Sequence, residues 1–314
     1  MPEPIDTTNA APAGTVDSIK AAGTIKAVPI RHYGRWVSAV LVLGALALLV
    51  HAFARGRVDW GTVPAYFFDD LILRGVGNTL LLTVAAMLLG VVLGLVLAVM
   101  RLSSNPVTNS VAWGYIWFFR GTPVYVQLLV WFNLGLVFQY VDLGPVYRDQ
   151  WSDFMTPFLA ALLGLGLNEA AYMAEICRAG LQAVDEGQTE AAHALGMSRG
   201  KTLRRIVVPQ AMRVIVPPTG NEVVNMLKTT SLVVAVQYDE LLRSAQNVAQ
   251  TSGATAEMLF LAAGWYLILT TVFSVGQYYL ERRYARGSLR ALPPTPWQKV
   301  RTALVSFRRP EVAR

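Results

Sequence analysis

The chain has 314 residues, of which 54% are hydrophobic and 15% charged, with 27 Lys and Arg against 20 Asp and Glu for a net charge of +7. Soluble globular domains carry about a quarter charged residues, so this composition excludes one and points to an all-α membrane protein. The lone cysteine, Cys177, excludes an intramolecular disulfide framework, and the three histidines, His32, His51 and His193, are too scattered to imply a metal cluster.

Residues 1–34 are rich in Ala, Thr, Pro and Gly without a long apolar face, and read as a flexible arm. A hydrocarbon core of about 30 Å needs about 20 mostly apolar residues per helical span. Such runs lie near residues 35–54, 76–100, 109–138, 156–180, 210–236 and 257–280, which predicts six transmembrane helices. The first ends in Ala52-Phe53-Ala54, similar to a signal-peptide cleavage site, but the arm before it is far longer than an ordinary basic n-region, so a retained helix is expected. In the second, Gly90 and Gly94 form G-x-x-x-G, a close-packing face that serves either the subunit's own interior or a dimer. The third and fifth runs are too long for one straight span and contain Gly121 and Pro123, and Pro217, Pro218 and Gly220, so kinks are expected where neighbouring helices shelter the backbone.

Lys and Arg in short loops set the orientation. Lys20, Lys26, Arg31 and Arg35 in the arm, Arg199, Lys201, Arg204 and Arg205 after the fourth run, and Arg282, Arg283, Arg286 and Arg290 after the sixth all fall on one side, which is therefore cytoplasmic. Opposite lie Asp59, Asp69, Asp70, Asp142, Asp149, Asp153, Asp239 and Glu240, with Trp60, Tyr66, Phe67, Phe68, Tyr147 and Trp151 placed as an aromatic belt. Both termini are expected in the cytoplasm, with 284–314 a basic tail. The positive charge requires no nucleic acid, since anionic membrane lipids suffice as its partner.

The longest polar interruption is EAAHALGMSRGKTLRRIVVPQA, from Glu190 to Ala211. Gly196, Gly200, Lys201 and Thr202 come within one residue of a phosphate-binding loop, but such a loop follows a strand, and the residues before it are helix formers. Ala191, Ala192 and Ala194 favour a slim helix that another surface can approach closely, and Gly196 suits its left-handed end.

Ionisable groups inside a membrane cost about 2.5 to 3.5 kcal/mol at a helix centre and are functional candidates. Asn221, Asn225 and Lys228 fall at i, i+4 and i+7 with Glu222 beside them; Asn168, Tyr172 and Glu175 repeat that spacing with Glu169 adjacent; Arg120 and Gln127 are seven apart. Three spans thus offer polar stripes. Facing a dimer interface, Arg120 and Lys228 could meet a carboxylate, and Glu169 and Glu222 an ammonium; or these groups could pair with one another and lock the helices, or Arg120 and Glu175 could lie near kinks or the cytoplasmic interface. Asn221 and Asn225 also suit helix–helix hydrogen bonds.

Glu190-Ala191-Ala192, Gly196, Ile206 and Pro209 resemble the EAA signature of permease subunits of bacterial ABC importers, with Val208 where leucine is usual. Gly77-Asn78-Thr79-Leu80, Arg120-Gly121-Thr122-Pro123, Ala171-Tyr172 with Glu175 and Arg178, Gly187-Gln188, Pro209-Gln210-Ala211 and Lys228 with Thr230-Ser231-Leu232 are together similar to the polar amino-acid uptake branch, of histidine and glutamine permease type, over residues 75–283. Thr229 departs from the aspartate usual there. The resemblance implies a five-helix importer core with one added N-terminal helix at 35–54. It also implies a coupling segment at 187–211 whose Glu190, Ala191, Ala192, Gly196, Ile206 and Pro209 dock on a separate ATPase subunit.

On that resemblance the chain is the permease subunit of an ATP-driven amino-acid importer in the bacterial cytoplasmic membrane. It would work as a dimer with itself or a homologue and with an extracytoplasmic solute-binding protein. No cofactor is expected in this chain, since ATP and Mg would be bound by the ATPase. A secondary transporter driven by an ion gradient is the alternative; it would carry an inverted repeat, and the halves show no self-similarity. A membrane anchor would not need three polar stripes, and no catalytic constellation suggests an enzyme. With Cys177 replaced by alanine, an impermeant thiol reagent added to intact cells should label a cysteine at Asp149 and spare one at Ser198; equal labelling would contradict the orientation.

Overall fold

The computed structural model describes residues 33–142, 144, 148–284, 298, 301 and 302, so the arm before residue 33, Tyr147 and nearly all of the basic tail lie outside the described residues. The chain divides into two compact units, residues 1–55 with 293–314, and residues 56–292. In the first, α1 (Tyr33–Ala54) is apolar all round, as Trp36, Val40, Leu43 and Val50 illustrate, which suits lipid rather than a half-buried surface.

The second unit opens with the short α2 (Thr62–Tyr66) and then α3 (Asp70–Arg101), started by the Asp69 carboxylate, which accepts from Leu71 N at 2.9 Å. Its 32 residues span about 48 Å at about 1.5 Å each, longer than the hydrocarbon core. Asn105 caps α4 (Pro106–Gly121), with Pro106 at its first position. After Thr122 and Pro123 the chain resumes as α5 (Val124–Asn133) and a 3₁₀ turn, Leu134–Leu136. A small antiparallel hairpin follows, β1 (Tyr140–Asp142) on β2 (Arg148–Gln150), with Val141 opposite Asp149, and then α6 (Trp151–Phe154). Thr156 caps α7 (Pro157–Gln182), accepting from Leu159 N at 3.2 Å. Next come α8 (Glu186–Ala194), α9 (Arg199–Thr202) and a π-helical turn, Leu203–Val207, which runs into α10 (Val208–Thr229). A 3₁₀ segment, Thr230–Val236, then α11 (Leu241–Ser252) and α12 (Thr255–Tyr284) complete the unit.

Among the described residues, four helices are long and apolar enough to cross a membrane: Trp36–Ala54 within α1, α3, α7 and α12. The expected third span is two helices, because Pro123 supplies no N–H to continue α4. The expected fifth span is α10 with its 3₁₀ extension; Arg213, Glu222 and Lys228 lower its apolarity, and Pro217 and Pro218 sit inside one continuous helix. The short hairpin departs from the all-α expectation.

Buried Leu82, Ala86, Leu128, Ala161, Leu165, Met226 and Val233 form one cluster joining α3, α5, α7 and α10 with its extension. A second cluster, with Ile72, Leu241, Ala245, Met258 and Leu261, joins α3, α11 and α12. Leu88, Val92, Val99, Leu267 and Val272 face outward, as a lipid surface allows. Gly90 and Gly94 turn toward α7 of the same subunit: a β-carbon at Gly94 would stand 2.5 Å from Met173 Cβ and 2.9 Å from the Ala170 carbonyl.

Glu240 ties the second cluster together. Fully buried, it caps α11 by accepting from Arg243 N at 2.9 Å, and it also accepts from the Tyr266 hydroxyl and from Thr79 Oγ1 at 3.4 Å. Thr79 Oγ1 in turn accepts from Leu241 N at 3.1 Å, and Asn78 Nδ2 donates to the Asp239 carbonyl at 2.8 Å. Burial pushes the Glu240 carboxyl above its ordinary range, with the hydrogen bonds from Tyr266, Arg243, Leu242 and Thr79 pulling it back. Glu240→Gln keeps acceptors for the cap and for Tyr266 and should leave thermal stability of the purified protein nearly unchanged. Glu240→Ala orphans the half-buried Tyr266 hydroxyl and the cap and should cost about 2 kcal/mol; equal losses in the two variants would contradict this role.

Candidate functional site

A cavity of about 550 Å³ lies between α7 and α10. Asn168, Glu169 and Tyr172 of α7 line it, facing Glu222, Asn225 and Lys228 of α10, with Val124, Leu165, Met226 and Leu232 as its apolar wall and Thr229 and Ser231 at the end of α10. Six of the nine solute-path candidates from the sequence therefore converge on one space.

The other three lie beside it. Pro123 has no N–H to give to the Phe119 carbonyl four residues earlier, and two side chains do so instead: Gln127 Nε2 at 3.0 Å and Asn168 Nδ2 at 2.8 Å. Gln127 also donates to Thr122 O at 3.1 Å and Thr122 Oγ1 at 2.7 Å, while its own oxygen accepts from Asn168 at 3.2 Å. Its amide closes the helix break, and Asn168 carries that connection to the cavity wall. Arg120 stands over the Tyr172 ring, with its guanidinium carbon 5.2 Å from the centroid. Glu175 is paired with Arg178 on its own helix at 2.6 Å and does not line the cavity.

Glu169 and Glu222 have no such pairing: among the described residues no ion pair within 4.0 Å reaches either of them, or Lys228 or Arg120. Glu169 is 5% exposed, and its Oε1 is buried without a hydrogen-bond partner. Such a group is costly unless something meets it. Two unpaired carboxylates and an unpaired ammonium sharing a cavity form an arrangement complementary to a small ligand that carries both signs of charge. Of the expected α10 stripe, Asn221 lies elsewhere, accepting from Gln277 Nε2 of α12 at 2.7 Å.

The polar segment forms a second feature. Asp185 caps α8 by accepting from Gly187 N at 2.8 Å. At its other end Gly196 takes φ +75°, with Gly196 N donating to His193 O at 2.9 Å and Met197 N to Ala192 O at 3.0 Å, a Schellman closure. Ala192 is buried against the protein, Ile206 is half-buried, and Glu190, Ala191, Leu195, Gly196 and Pro209 are exposed. A helix precedes Gly196, so the strand that a phosphate-binding loop requires is missing there.

Residues 90–286 match the family described as binding-protein-dependent transport system inner membrane component. The chain belongs to this family. It is 51% identical over 270 residues to the arginine transport system permease protein ArgU of Corynebacterium glutamicum, covering 85% of each chain. It is 39% identical to the nopaline transport system permease protein NocM of Agrobacterium fabrum, over 65% of this chain and 83% of that one, and 34% identical to the glutamine transport system permease protein GlnP of Escherichia coli, over 72% and 98%. The crystal structure of an amino acid ABC transporter with histidines superposes with a TM-score of 0.63 at 36% identity, covering 73% of this chain and all of that one. The methionine transporter MetNI, at 19% identity and a TM-score of 0.57, shares the fold. The permease is thus a multi-pass membrane protein of a family that is not one of enzymes, and these findings give no support to an ion-gradient-driven transporter.

Sequence reading missed Val124, Leu165, Met226, Thr229, Ser231 and Leu232 as cavity lining. Thr229 was detectable, four residues after Asn225 on the same face. Gln127→Leu or Asn168→Leu alone leaves Phe119 O one donor, and each should lower thermal stability of the purified permease by about 1 kcal/mol. The double replacement orphans that carbonyl and should cost more than the sum; strict additivity would show that the two amides do not share it.

Proposed function

We propose that this permease is the membrane subunit of an ATP-driven importer that passes a cationic amino acid through the cavity between α7 and α10. The carrying observation is the lining: the carboxyl groups of Glu169 and Glu222 and the amine of Lys228 share one cavity, a set that complements a solute with two cationic groups and one carboxylate. The names of the arginine and nopaline permeases among its relatives support the same reading.

In this reading α4 with α5, and α10 with its 3₁₀ extension, act as two bent crossings that raise the four apolar spans to six. The lysine and arginine distribution supports cytoplasmic termini. Glu190, Ala191, Ala192, Gly196, Ile206 and Pro209 form a docking surface for an ATPase subunit, which binds the ATP and Mg. The exposure of Glu190, of Gly196 and of Leu195, which is 83% exposed, supports this. A second permease copy or homologue and an extracytoplasmic solute-binding protein complete the machine.

The test is radiolabelled uptake in cells expressing the permease with its ATPase and binding protein. Arginine uptake should persist with a protonophore present, stop when the ATPase is inactivated, and resist competition by glutamate. Glu190→Lys should abolish uptake while arginine still binds the purified protein, since reversing a charge at a desolvated contact costs several kcal/mol. Uptake that follows the proton gradient and ignores the ATPase would overturn the proposal.

A further inference from the structure

The two glycines of the α3 close-packing motif meet different things on α7. At Gly94 a β-carbon would collide with Met173 Cβ at 2.5 Å, Ala170 O at 2.9 Å and Ala174 N at 3.0 Å, so that glycine admits the backbone of α7. At Gly90 it would collide first with Glu169 Cγ at 2.5 Å, then with Glu169 Cβ at 2.9 Å and Ala170 N at 3.4 Å. Gly90 admits the stem of the cavity carboxylate itself.

We infer that Gly90 is a positioning residue for solute selection: its bare backbone is the slot in which the Glu169 stem lies, and that slot fixes where the Glu169 carboxylate stands in the cavity. Glu169 is 95% buried by its 5% exposure, and Oε1 has no partner to hold it in place. Its direction is therefore set by packing on its carbons. Side chains in helices occupy few rotamers, so a methyl at Gly90 drives Cγ into another well, and its 2.9 Å approach to Glu169 Cβ, which no rotamer relieves, shifts the root of the side chain as well. The carboxylate then moves by on the order of an ångström, a displacement large enough to disrupt a charge-assisted contact. Lys228 and Glu222, on α10, are not touched by this change. The effect falls on the cationic side chain of the solute and spares recognition of its carboxylate. The inference rests on the cavity being the solute site.

The experiment measures binding of arginine and of citrulline, its uncharged counterpart, to the purified permease assembled with its ATPase in nanodiscs. Gly90→Ala should weaken arginine at least about tenfold and change citrulline by less than about twofold, and Glu169→Gln should do the same. Gly94→Ala, which meets no cavity group, should move both ligands together. In a Glu169→Gly background the colliding carbons are gone, and adding Gly90→Ala should cause no further loss of arginine affinity. If Glu169→Gln weakens arginine and Gly90→Ala does not, the positioning role is overturned and the solute site stands. If Glu169→Gln has no effect, the solute site itself is overturned, and the inference with it. Should Gly90→Ala fail to assemble, recovery of assembly in the Glu169→Gly background would support the contact, and continued failure there would overturn it.

Discussion

At Gly90 and Gly94 the backbone of α3 comes so near α7 that any β-carbon would stand 2.5 Å from Glu169 Cγ or from Met173 Cβ. Lipid tails are as apolar as leucine, so helices in a bilayer gain little by burying apolar surface against each other and associate through close packing. Small residues make that approach here, and other glycines repeat it around α7. Gly164 receives Leu128 of α5, Gly166 receives Leu89 of α3, and Gly180 receives Ile215 of α10. With α7 held on these sides, Asn168, Glu169 and Tyr172 are left to face α10 across open space.

A second constraint acts on the same ground. Backbone groups away from water need partners, and a proline in a crossing segment removes one. Pro123 breaks the third apolar run, and the carbonyl it abandons at Phe119 is answered by Gln127 and Asn168. The repair connects α4, α5 and α7 beside the cavity, so the helix break and the polar lining belong to one structure. Nearer the N-terminal end of α3 the Glu240 network plays the corresponding part, joining α11 and α12 to Thr79.

Much of this was legible in the sequence because helix periodicity and turn chemistry act locally. The spacing put Asn168 with Tyr172 and Asn225 with Lys228 on shared helix faces, though not the meeting of the two faces within one subunit, and Gly196 ends its helix in the left-handed region as its place after three alanines suggested. What stayed hidden depends on neighbours distant in the chain. Periodicity placed Asn221 with Asn225, yet Gln277, 56 residues away, takes Asn221 out of the stripe. Glu175 looked like Glu169 until its pairing with Arg178 was seen. The G-x-x-x-G spacing could not say which helix Gly90 and Gly94 would meet. The length of the third apolar run signalled a break but not which side chains would mend it.

The central claim is that a solute bearing two cationic groups and one carboxylate occupies the cavity between α7 and α10. Structure determination of the assembled transporter with arginine bound tests it most directly. The account predicts the guanidinium and ammonium within hydrogen-bonding distance of Glu169 and Glu222, with the carboxylate toward Lys228. Arginine bound elsewhere in the membrane region, with Glu169 and Glu222 facing only water, would contradict it.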